Sequence, residues 1–380
     1  MAKLGDICTV VSGSTPKTGV SEYWDGTVKW ITPAELNEDS FYITDSVRHI
    51  TEAGKEKTGL SYLPKGTVIL SSRAPIGKTA IAGCEMCCNQ GFKNLICSDA
   101  VYNEYLYFFL RSKTDYLNSL GRGATFKEIS KSIVEKIEIP LPNIEKQHQI
   151  VKELKATRNL IAHRKQQLTK LDELIKARFV EMFGEPGAKN ENWPQCTLGK
   201  ACRINPKKSE DIRLLPNLEV SFVPMPAVTE NGKMDSSIIK IYDEVKTGFT
   251  YFSERDVLFA KITPCMENGK GAVAVNLKNE IGFGSTEFHV IRPIAEKTNP
   301  YWIYVLTVFE KFRKDAAKNM TGSAGQRRVP ASFLENYQIS LPPIDLQNQF
   351  AAFVEEVDKS KLFAELFAQN ACILAENRSK

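Results

Sequence analysis

The sequence contains no long apolar run and only four histidines among its 380 residues. A membrane-spanning helix needs about 20 consecutive apolar residues, and no stretch approaches that length. Residues 1–6 do not have the basic and apolar segments of a secretory signal peptide. The nine cysteines are irregularly spaced, which favours free thiols. We therefore predict a cytoplasmic protein without a membrane segment.

The sequence also lacks the patterns expected for a metal site. Cys84, Cys87 and Cys88 could supply half of a zinc site, but the second pair or the nearby histidines that structural zinc requires are missing. Free thiols packed on strands are the favoured interpretation. Glu244-Val245-Lys246 has no accompanying Pro-Asp for a metal-dependent nuclease. We predict no metal and no catalytic residue in this chain.

Two further motifs are incomplete. Residues 72–79 end in Gly-Lys-Thr, as in a phosphate-binding loop, but Ser72 stands where that motif has its first glycine. Residues 80–83 predict a strand rather than a helix whose N-terminus could bind phosphate. The segment 299–302, Asn-Pro-Tyr-Trp, lacks the second proline of the adenine-methyltransferase motif, so a helix start at Asn-Pro is favoured. A nucleotide-dependent enzyme that uses residues 72–79 is kept as an alternative function.

What the sequence does contain is a long helical pattern. Residues 144–183 include no glycine or proline. Apolar residues recur there every seven positions, at Leu154, Ile161, Leu168, Ile175 and Met182. The pattern predicts a helix with the seam of a coiled coil, about 60 Å long at about 1.5 Å per residue. Such a length favours a spacer that holds two domains apart.

The segment that precedes this helix is repeated after it. Residues 132–150 align without gaps with residues 332–350, and Ser, Glu, Ile, Leu, Pro, Ile, Gln and Gln recur at matching positions. A period of about 200 residues indicates a duplicated domain. A second amphipathic helix is predicted over residues 344–377. We therefore divide the chain into a domain (1–142), a spacer helix (143–187), a second domain (188–342) and a second spacer helix (343–380).

Both domains combine short strand patterns with a few helices, so the predicted fold class is α+β. The first long helix is rich in lysine and arginine, whereas the second is more acidic. Opposite charges favour pairing between the two helices over self-pairing. An antiparallel coiled coil would give a pseudo-two-fold layout with one domain at each end. Two separate helices, each packed on its own domain, are the alternative.

Polar, basic and glycine-rich loops occupy matching places in the two domains. Hydroxyl groups, lysine and arginine bind phosphate oxygens, whereas arginine, asparagine and glutamine can read base edges. A single loop of this kind is most simply a solvated turn, but two matched sets beside a spacer favour double-stranded DNA as partner. The net charge of +5 permits this partner. The predicted DNA-binding residues are Ser14, Thr15, Lys17, Ser72, Arg73, Lys78, Asn89, Gln90, Lys93, Arg122, Thr125 and Lys127 in the first domain, and Lys261, Thr263, Lys270, Ser285, Thr286, Ser323, Gln326, Arg327 and Arg328 in the second.

A series of short motifs runs through both halves of the chain. They are residues 12–16, 22–26, 30–32, 70–78, 89–93, 125–130, 139–142 and 178–184 in the first half, and residues 282–288, 325–330 and 339–343 in the second. Taken in order, these motifs resemble the specificity subunit of type I restriction-modification systems. The resemblance extends over nearly the whole chain and is doubled, which makes the series specific although each motif alone is weak.

The resemblance implies that each domain is a target-recognition domain reading one half of a split DNA site, with the helices setting the spacing. It implies two modification subunits that dock on the helices and supply S-adenosylmethionine and adenine methylation. Restriction subunits would add ATP- and magnesium-dependent translocation and cleavage, and this chain would hold no cofactor and no catalytic residue of its own. A scaffold that binds only proteins is the remaining alternative.

The second helix departs from the pattern of the resemblance. It reaches Lys380 without a counterpart of residues 179–184. We therefore expect the coiled coil of the two helices to be short at the end formed by the second helix's C-terminus, or to be completed there by a partner.

Overall fold

A computed structural model describes residues 1–123, 127–208, 217–323 and 325–379, with the backbone alone for residue 366 and residues 368–379. The chain forms two compact units. The first, unit 1, comprises residues 1–165 and 366–380, and the second, unit 2, comprises residues 166–365. Both boundaries fall inside the long helices, so each unit contains a strand-rich domain and a part of each helix.

Unit 1 combines short strands with helices. Its elements in chain order are β1 (Ala2–Lys3), α1 (Leu4–Ile7), β2 (Cys8–Ser12), β3 (Trp24–Ile31), β4 (Tyr42–Ile43), β5 (His49–Ile50), α2 (Glu52–Thr58), β6 (Val68–Ser71), β7 (Thr79–Ala82), β8 (Cys87–Cys88), β9 (Phe92–Cys97), α3 (Asn103–Ser112), α4 (Thr114–Leu120), α5 (Lys131–Glu135), β10 (Glu138–Ile139) and the beginning of α6 (Ile144–Phe183).

Unit 2 repeats this series after the end of α6. Its elements are β11 (Gln195–Thr197), α7 (Leu198–Ala201), β12 (Cys202–Ile204), β13 (Glu219–Val223), β14 (Ile239–Ile241), α8 (Tyr242–Val245), β15 (Thr250–Ser253), β16 (Val257–Ala260), β17 (Gly271–Val273), β18 (Ile281–Gly284), β19 (Phe288–Pro293), α9 (Pro300–Val308), α10 (Glu310–Lys318), α11 (Ala331–Asn336), β20 (Gln338–Ser340) and most of α12 (Ile344–Ser379).

The sheets show that the two units are copies of one fold. Unit 1 has a main sheet of order β2-β9-β6-β7-β4, a small sheet of order β5-β3-β8 and the pair β1-β10. Unit 2 has the corresponding sheets β12-β19-β16-β17 and β14-β13-β18-β15 and the pair β11-β20. In both small sheets one pair is parallel, β3 with β8 and β13 with β18. The α+β duplication read from the sequence is thereby confirmed.

The central strands of each main sheet are buried on both faces. Every residue of β6, β7 and β16 is buried. This explains why these strands appear in the sequence as continuous runs of apolar and small residues rather than as alternating patterns. The helix that follows β9, α3, packs on the main sheet of unit 1 through fully buried Leu106 and Leu110. The loops at the ends of these strands therefore begin at fully buried, well-packed residues.

Residues 103–120 have the apolar spacing of one continuous helix, but they form two helices in the structure. Lys113 leaves the helical conformation at φ −110° and ψ 19°, so the segment forms α3 and α4. Asn103, whose side chain could cap a helix, is not the N-cap of α3. It is the first helical residue, and its side-chain amide donates to the Gly66 carbonyl at 3.0 Å. The start predicted at Asn299 is confirmed, because its side chain caps α9 by accepting from the Tyr301 N–H.

The first long helix has the bounds that the sequence predicted, Ile144–Phe183, and the second extends from Ile344 to Ser379. The two end regions of the first helix belong to the cores of the two units. Val151 joins the core of unit 1, and Phe179 joins that of unit 2. Within unit 2 the helices run antiparallel, because Phe179 contacts Phe350 whereas the earlier Asp172 binds the later Lys361 at 2.7 Å.

A buried glutamine in the first turn of each long helix joins that helix to its domain. Gln147 and Gln347 are both 0% exposed. The Gln147 carbonyl oxygen accepts from Tyr102 N at 2.8 Å, and its amide donates to the carbonyls of Ala100 and Pro142 at 3.0 and 2.9 Å.

Gln347 makes the corresponding three bonds in unit 2. It accepts from Asn299 N at 2.9 Å and donates to the carbonyls of Lys297 and Pro342 at 3.0 and 2.8 Å. Each buried amide thus makes three hydrogen bonds to backbone groups of its domain. Gln147 and Gln347 form one of the two glutamine pairs that recur in the sequence at the offset of 200.

We predict that Gln147→Leu lowers the free energy of unfolding by about 2–4 kcal/mol. Leucine has a similar volume but leaves one backbone N–H and two carbonyls unpaired, and each such group costs about 1–3 kcal/mol. Denaturant unfolding measures the loss. Gln149→Leu, at an exposed position in the same helical turn, is the control and should change stability by less than about 0.5 kcal/mol. Equal losses in the two variants would contradict the role of Gln147.

Candidate nucleic-acid interface

Three loops of unit 1 meet at one end of the main sheet. They are the loop after β6 (72–78), the loop before β9 (89–91) and the loop between α4 and α5 (121–130), which is described on either side of residues 124–126. Ser72 is the central residue. Its N–H donates to the Gly91 carbonyl at 2.7 Å, and its own carbonyl accepts from Ile129 N at 2.9 Å. We refer to this meeting point as junction 1.

Unit 2 has the same arrangement, which we refer to as junction 2. Its loops are those after β16 (261–270), before β19 (285–287) and between α10 and α11 (319–330). Lys261 takes the place of Ser72. Its N–H donates to the Glu287 carbonyl at 2.9 Å, and its carbonyl accepts from Val329 N at 2.9 Å. The repeated loops of the sequence are therefore brought together in the same way in both units.

An acidic residue neutralises basic residues at each junction. In junction 1, Glu128 accepts from Arg73 Nε at 2.9 Å and from Lys93 Nζ at 3.2 Å. In junction 2, Arg328 binds both carboxylate oxygens of Glu287, with Nη2–Oε1 at 2.8 Å and Nε–Oε2 at 2.9 Å. Such two-pronged pairs are among the strongest and most directional charged hydrogen bonds.

These contacts change how readily the two carboxylates accept a proton. Hydrogen bonds from the Arg328 guanidinium lower the pKa of Glu287 below its ordinary value. For Glu128, partial burial raises the pKa, but hydrogen bonds from Arg73 and Lys93 outweigh it and the net pKa is lowered. Both acids are therefore charged at neutral pH, and the cations beside them are already paired within the protein.

Several predicted DNA-binding residues of unit 1 do present groups at the surface. Lys17, Gln90, Arg122 and Lys127 are exposed. Among the described residues, no side-chain partner accompanies Lys17, Arg122 or Lys127, whereas Gln90 accepts from the Thr15 hydroxyl.

Other predicted residues of unit 1 are used inside the protein. Ser72 is 0% exposed and its hydroxyl donates to Gly91. Lys78 donates to the carbonyls of Pro33 and Leu36 at 3.2 and 2.6 Å, and Lys93 is 6% exposed. The remaining positions are Asn89, whose side chain accepts from Gly91 N, Ser14, whose N–H donates to Cys88, and Thr125, which lies outside the described residues.

The predicted residues of unit 2 divide in the same manner. Thr286, Ser323 and Gln326 are exposed, and Lys261 is half-buried. The others hold the loops: Ser285 accepts from Glu287 N, Thr263 donates to Glu267, Lys270 donates to the Met225 carbonyl, and Arg327 donates to the carbonyls of Ala317 and Met320 at the end of α10.

Comparison with known proteins identifies the family. Residues 1–173 and 190–366 match the family model described as the type I restriction modification DNA specificity domain. The chain belongs to the family of type I restriction-modification specificity subunits. The match covers both repeats, so the two repeats are two DNA specificity domains, and the resemblance seen in the motifs is confirmed.

Relatives and solved structures agree with this membership. The MjaIX specificity subunit of Methanocaldococcus jannaschii is 30% identical over 382 residues, covering 93% of this chain and 85% of that protein. The EcoEI specificity subunit of Escherichia coli is 40% identical over 190 residues, covering 48% of this chain and 31% of that protein.

Two solved chains share the fold. One, from work on complex assembly and conformational transition of the type I R-M system, has a TM-score of 0.61 at 18% identity, covering 100% of this chain and 95% of that one. The specificity subunit from M. genitalium has a TM-score of 0.53 at 12% identity, covering 100% of this chain and 94% of that one.

No group of three or more metal-ligating side chains lies together in the described part of the chain. Among the helices of that part, none is long and apolar enough to cross a membrane. The residues that follow Lys78 form strand β7, as the sequence predicted, so the Gly-Lys-Thr segment precedes a strand and not a helix.

Sequence reasoning missed Glu128 and Glu287. Both lie inside motifs that were recognised, but an acidic residue beside lysines and arginines was not expected to contribute to a DNA-binding surface. The signal in the sequence is that each domain has an acidic residue in one of its loop motifs and an arginine in another, Glu128 with Arg73 and Glu287 with Arg328.

We predict that the stability contributed by the Glu287 ion pair falls at low pH. The pKa of Glu287 is lower in the folded than in the unfolded chain, so the contribution is complete above about pH 5 and is lost as the pH falls through the folded value. The difference in free energy of unfolding between the wild type and Glu287→Gln should shrink accordingly in denaturant titrations. Glu244→Gln, at an exposed position, is the control. A difference that did not vary with pH would contradict the pairing.

Proposed function

We propose that this chain is the non-catalytic subunit that selects the DNA target of a cytoplasmic type I restriction-modification complex. Each unit reads one half of a split site in double-stranded DNA. The observation that carries the proposal is the repetition of one three-loop junction in two domains that both match the specificity family. A bipartite DNA site requires two equivalent recognition surfaces in one chain, and junctions 1 and 2 would supply them.

The exposed side chains at the junctions have the chemistry for this task. Arg122 and Lys127 in unit 1 suit phosphate oxygens, and Gln90 and Gln326 suit base edges. The paired cations Arg73, Lys93 and Arg328 are less available to phosphate because carboxylates already bind them. Recognition would therefore depend on the exposed groups, with the ion pairs holding the loops that carry them.

The long helices would form an antiparallel coiled coil with pseudo-two-fold symmetry that sets the gap between the half-sites. Two modification subunits would dock on the helices and carry S-adenosylmethionine, and restriction subunits would carry ATP and magnesium. Support comes from the antiparallel contacts of α6 and α12 in unit 2, and from exposed Leu174, Leu362 and Phe363 on these helices there. Apolar side chains exposed at 47–65% are typical of surfaces that a partner covers.

The alternative of a nucleotide-dependent enzyme has little structural support. A phosphate-binding lysine must be free to reach the phosphates, but Lys78 donates to two backbone carbonyls and the segment after it is a strand. A scaffold that binds only proteins would be favoured if a modification subunit copurified with the chain while the complex showed no DNA preference.

The decisive experiment is a map of methylated adenines in cells with and without this chain. Loss of one split motif on deletion would establish both the function and the target. An unchanged map in cells that express the modification subunit would overturn the proposal.

We predict that Lys127→Ala weakens recognition of the first half-site only, by removing a DNA contact, and that Arg73→Ala does so by releasing Glu128 and the loop that this ion pair holds. Loss of one phosphate contact should reduce the slope of log affinity against log salt by about one, and loss of a base contact should cost about 1–3 kcal/mol at one position. Binding to DNA with one half-site scrambled separates the two domains. Lys57→Ala removes an exposed charge from α2 of the same unit and is the control. Equal losses at both half-sites would refute the assignment of one domain to one half.

We also predict that four residues inserted after Ala162 change the preferred gap between the half-sites. The insertion adds about one turn, or about 6 Å, to α6. Selection of methylated sites from a library with variable gaps measures the effect. A four-residue insertion after Gly248, in an exposed turn, should leave the gap unchanged. If the insertion in α6 also left it unchanged, the spacer role would be wrong.

A further inference from the structure

We propose that residues 128 and 328 are equivalent positioning residues of the two target-recognition loops, with the sign of their charge exchanged between the repeats. The ion pair of each holds the loop between α4 and α5, or between α10 and α11, in the position that reads DNA. This inference rests on the proposed function and adds the residues that hold the loops of junctions 1 and 2 in place.

The equivalence of the two positions follows from the backbone. Glu128 and Arg122 exchange N–H···O bonds of 2.9 and 3.0 Å. Arg328 and Thr321 exchange the same two bonds at 2.8 and 2.9 Å. The residue after each, Ile129 or Val329, then donates to the central residue of its junction. Glu128 and Arg328 therefore occupy one structural position, although one is acidic and the other basic.

The partner of this position also changes loop between the units. Glu128 binds Arg73, on the loop after β6, and Lys93, at the start of β9. Arg328 binds Glu287, on the loop before β19. Glu287 corresponds to Gly91, because both accept from the central N–H of their junction. A charge change at the shared position is thus accompanied by a complementary change elsewhere in the same junction.

These pairs differ from ordinary surface ion pairs, which contribute little. Lys93 is 6% exposed, so loss of Glu128 would leave a nearly buried ammonium group without its carboxylate. In unit 2, Arg327 fixes the same loop to α10 through the Ala317 carbonyl and also donates to the Met320 carbonyl within the loop. The Arg328 pair then orients the exposed end of the loop, which carries Ser323 and Gln326.

A direct electrostatic role makes the opposite prediction. If Glu128 only repelled DNA, its removal would strengthen binding to any sequence, and if Arg328 only bound phosphate, no change at Glu287 could replace it. A positioning role predicts instead that discrimination between half-sites is lost in the single variants and recovered when the pair is rebuilt with its charges reversed.

The test uses the complex with modification subunits and compares Glu287→Arg, Arg328→Glu and the double exchange. Each single variant should lose about tenfold or more in its preference for the cognate over a scrambled second half-site, and the double variant should recover most of it. Preference at the first half-site should not change in any variant. A double variant no better than the worse single variant would overturn the proposal.

A milder substitution covers the case in which the exchanged variants fail to fold. Glu128→Gln removes one negative charge and keeps the shape of the side chain. We expect a lower preference for the cognate first half-site without tighter binding to scrambled DNA. Tighter binding with unchanged preference would overturn the positioning role. If the wild-type complex itself showed no preference for a split site, the proposed function would fail, which is a separate and distinguishable result.

Discussion

The structure depends on a requirement at the joints between domain and helix: the backbone N–H and carbonyl groups there must find hydrogen-bond partners. At each joint an irregular segment ends against the first turn of a long helix, where neither strand nor helix can satisfy its N–H and carbonyl groups. Gln147 and Gln347 supply one acceptor and two donor bonds each, in the same geometry. An amide meets this requirement without charge, so no ion has to be desolvated. The position of each domain on its helix follows from these bonds and from the apolar contacts around them.

At the junctions, too, hydrogen bonds to backbone groups hold neighbouring segments together. Strands β6 and β16 end in buried surroundings, and the next residue, Ser72 or Lys261, uses its backbone to connect the two other loops of its junction. Side chains then orient the loops, through Glu128 in one unit and Arg328 in the other. The two junctions share their backbone hydrogen bonds but differ in the charge of the side chain at the shared position. Two domains of one fold can therefore present different surfaces. Different surfaces are what two unlike half-sites require.

The sequence was most informative about the long helices and the duplication. Forty residues without glycine or proline and with regular apolar spacing predicted α6 within its observed bounds, because helix formation depends mainly on local pattern and on the absence of breakers. The sequence was less informative at Lys113, where packing of α3 and α4 overrides a continuous helical pattern. It also did not separate the exposed candidates, such as Lys127, from Lys78 and Lys93, whose ammonium groups bind inside the protein.

By itself, then, the sequence determined the number of domains, their order, the α+β class and the family, because repeats and motifs are properties of the chain. Tertiary structure alone decided which loop residues are free. Arg73 and Glu128 are far apart in the chain and meet only when the strands pair, and Glu287 reaches Arg328 by the same route. Burial and charge pairing are set by neighbours from distant segments, and these determine whether a lysine or arginine is free at the surface or bound to a carboxylate.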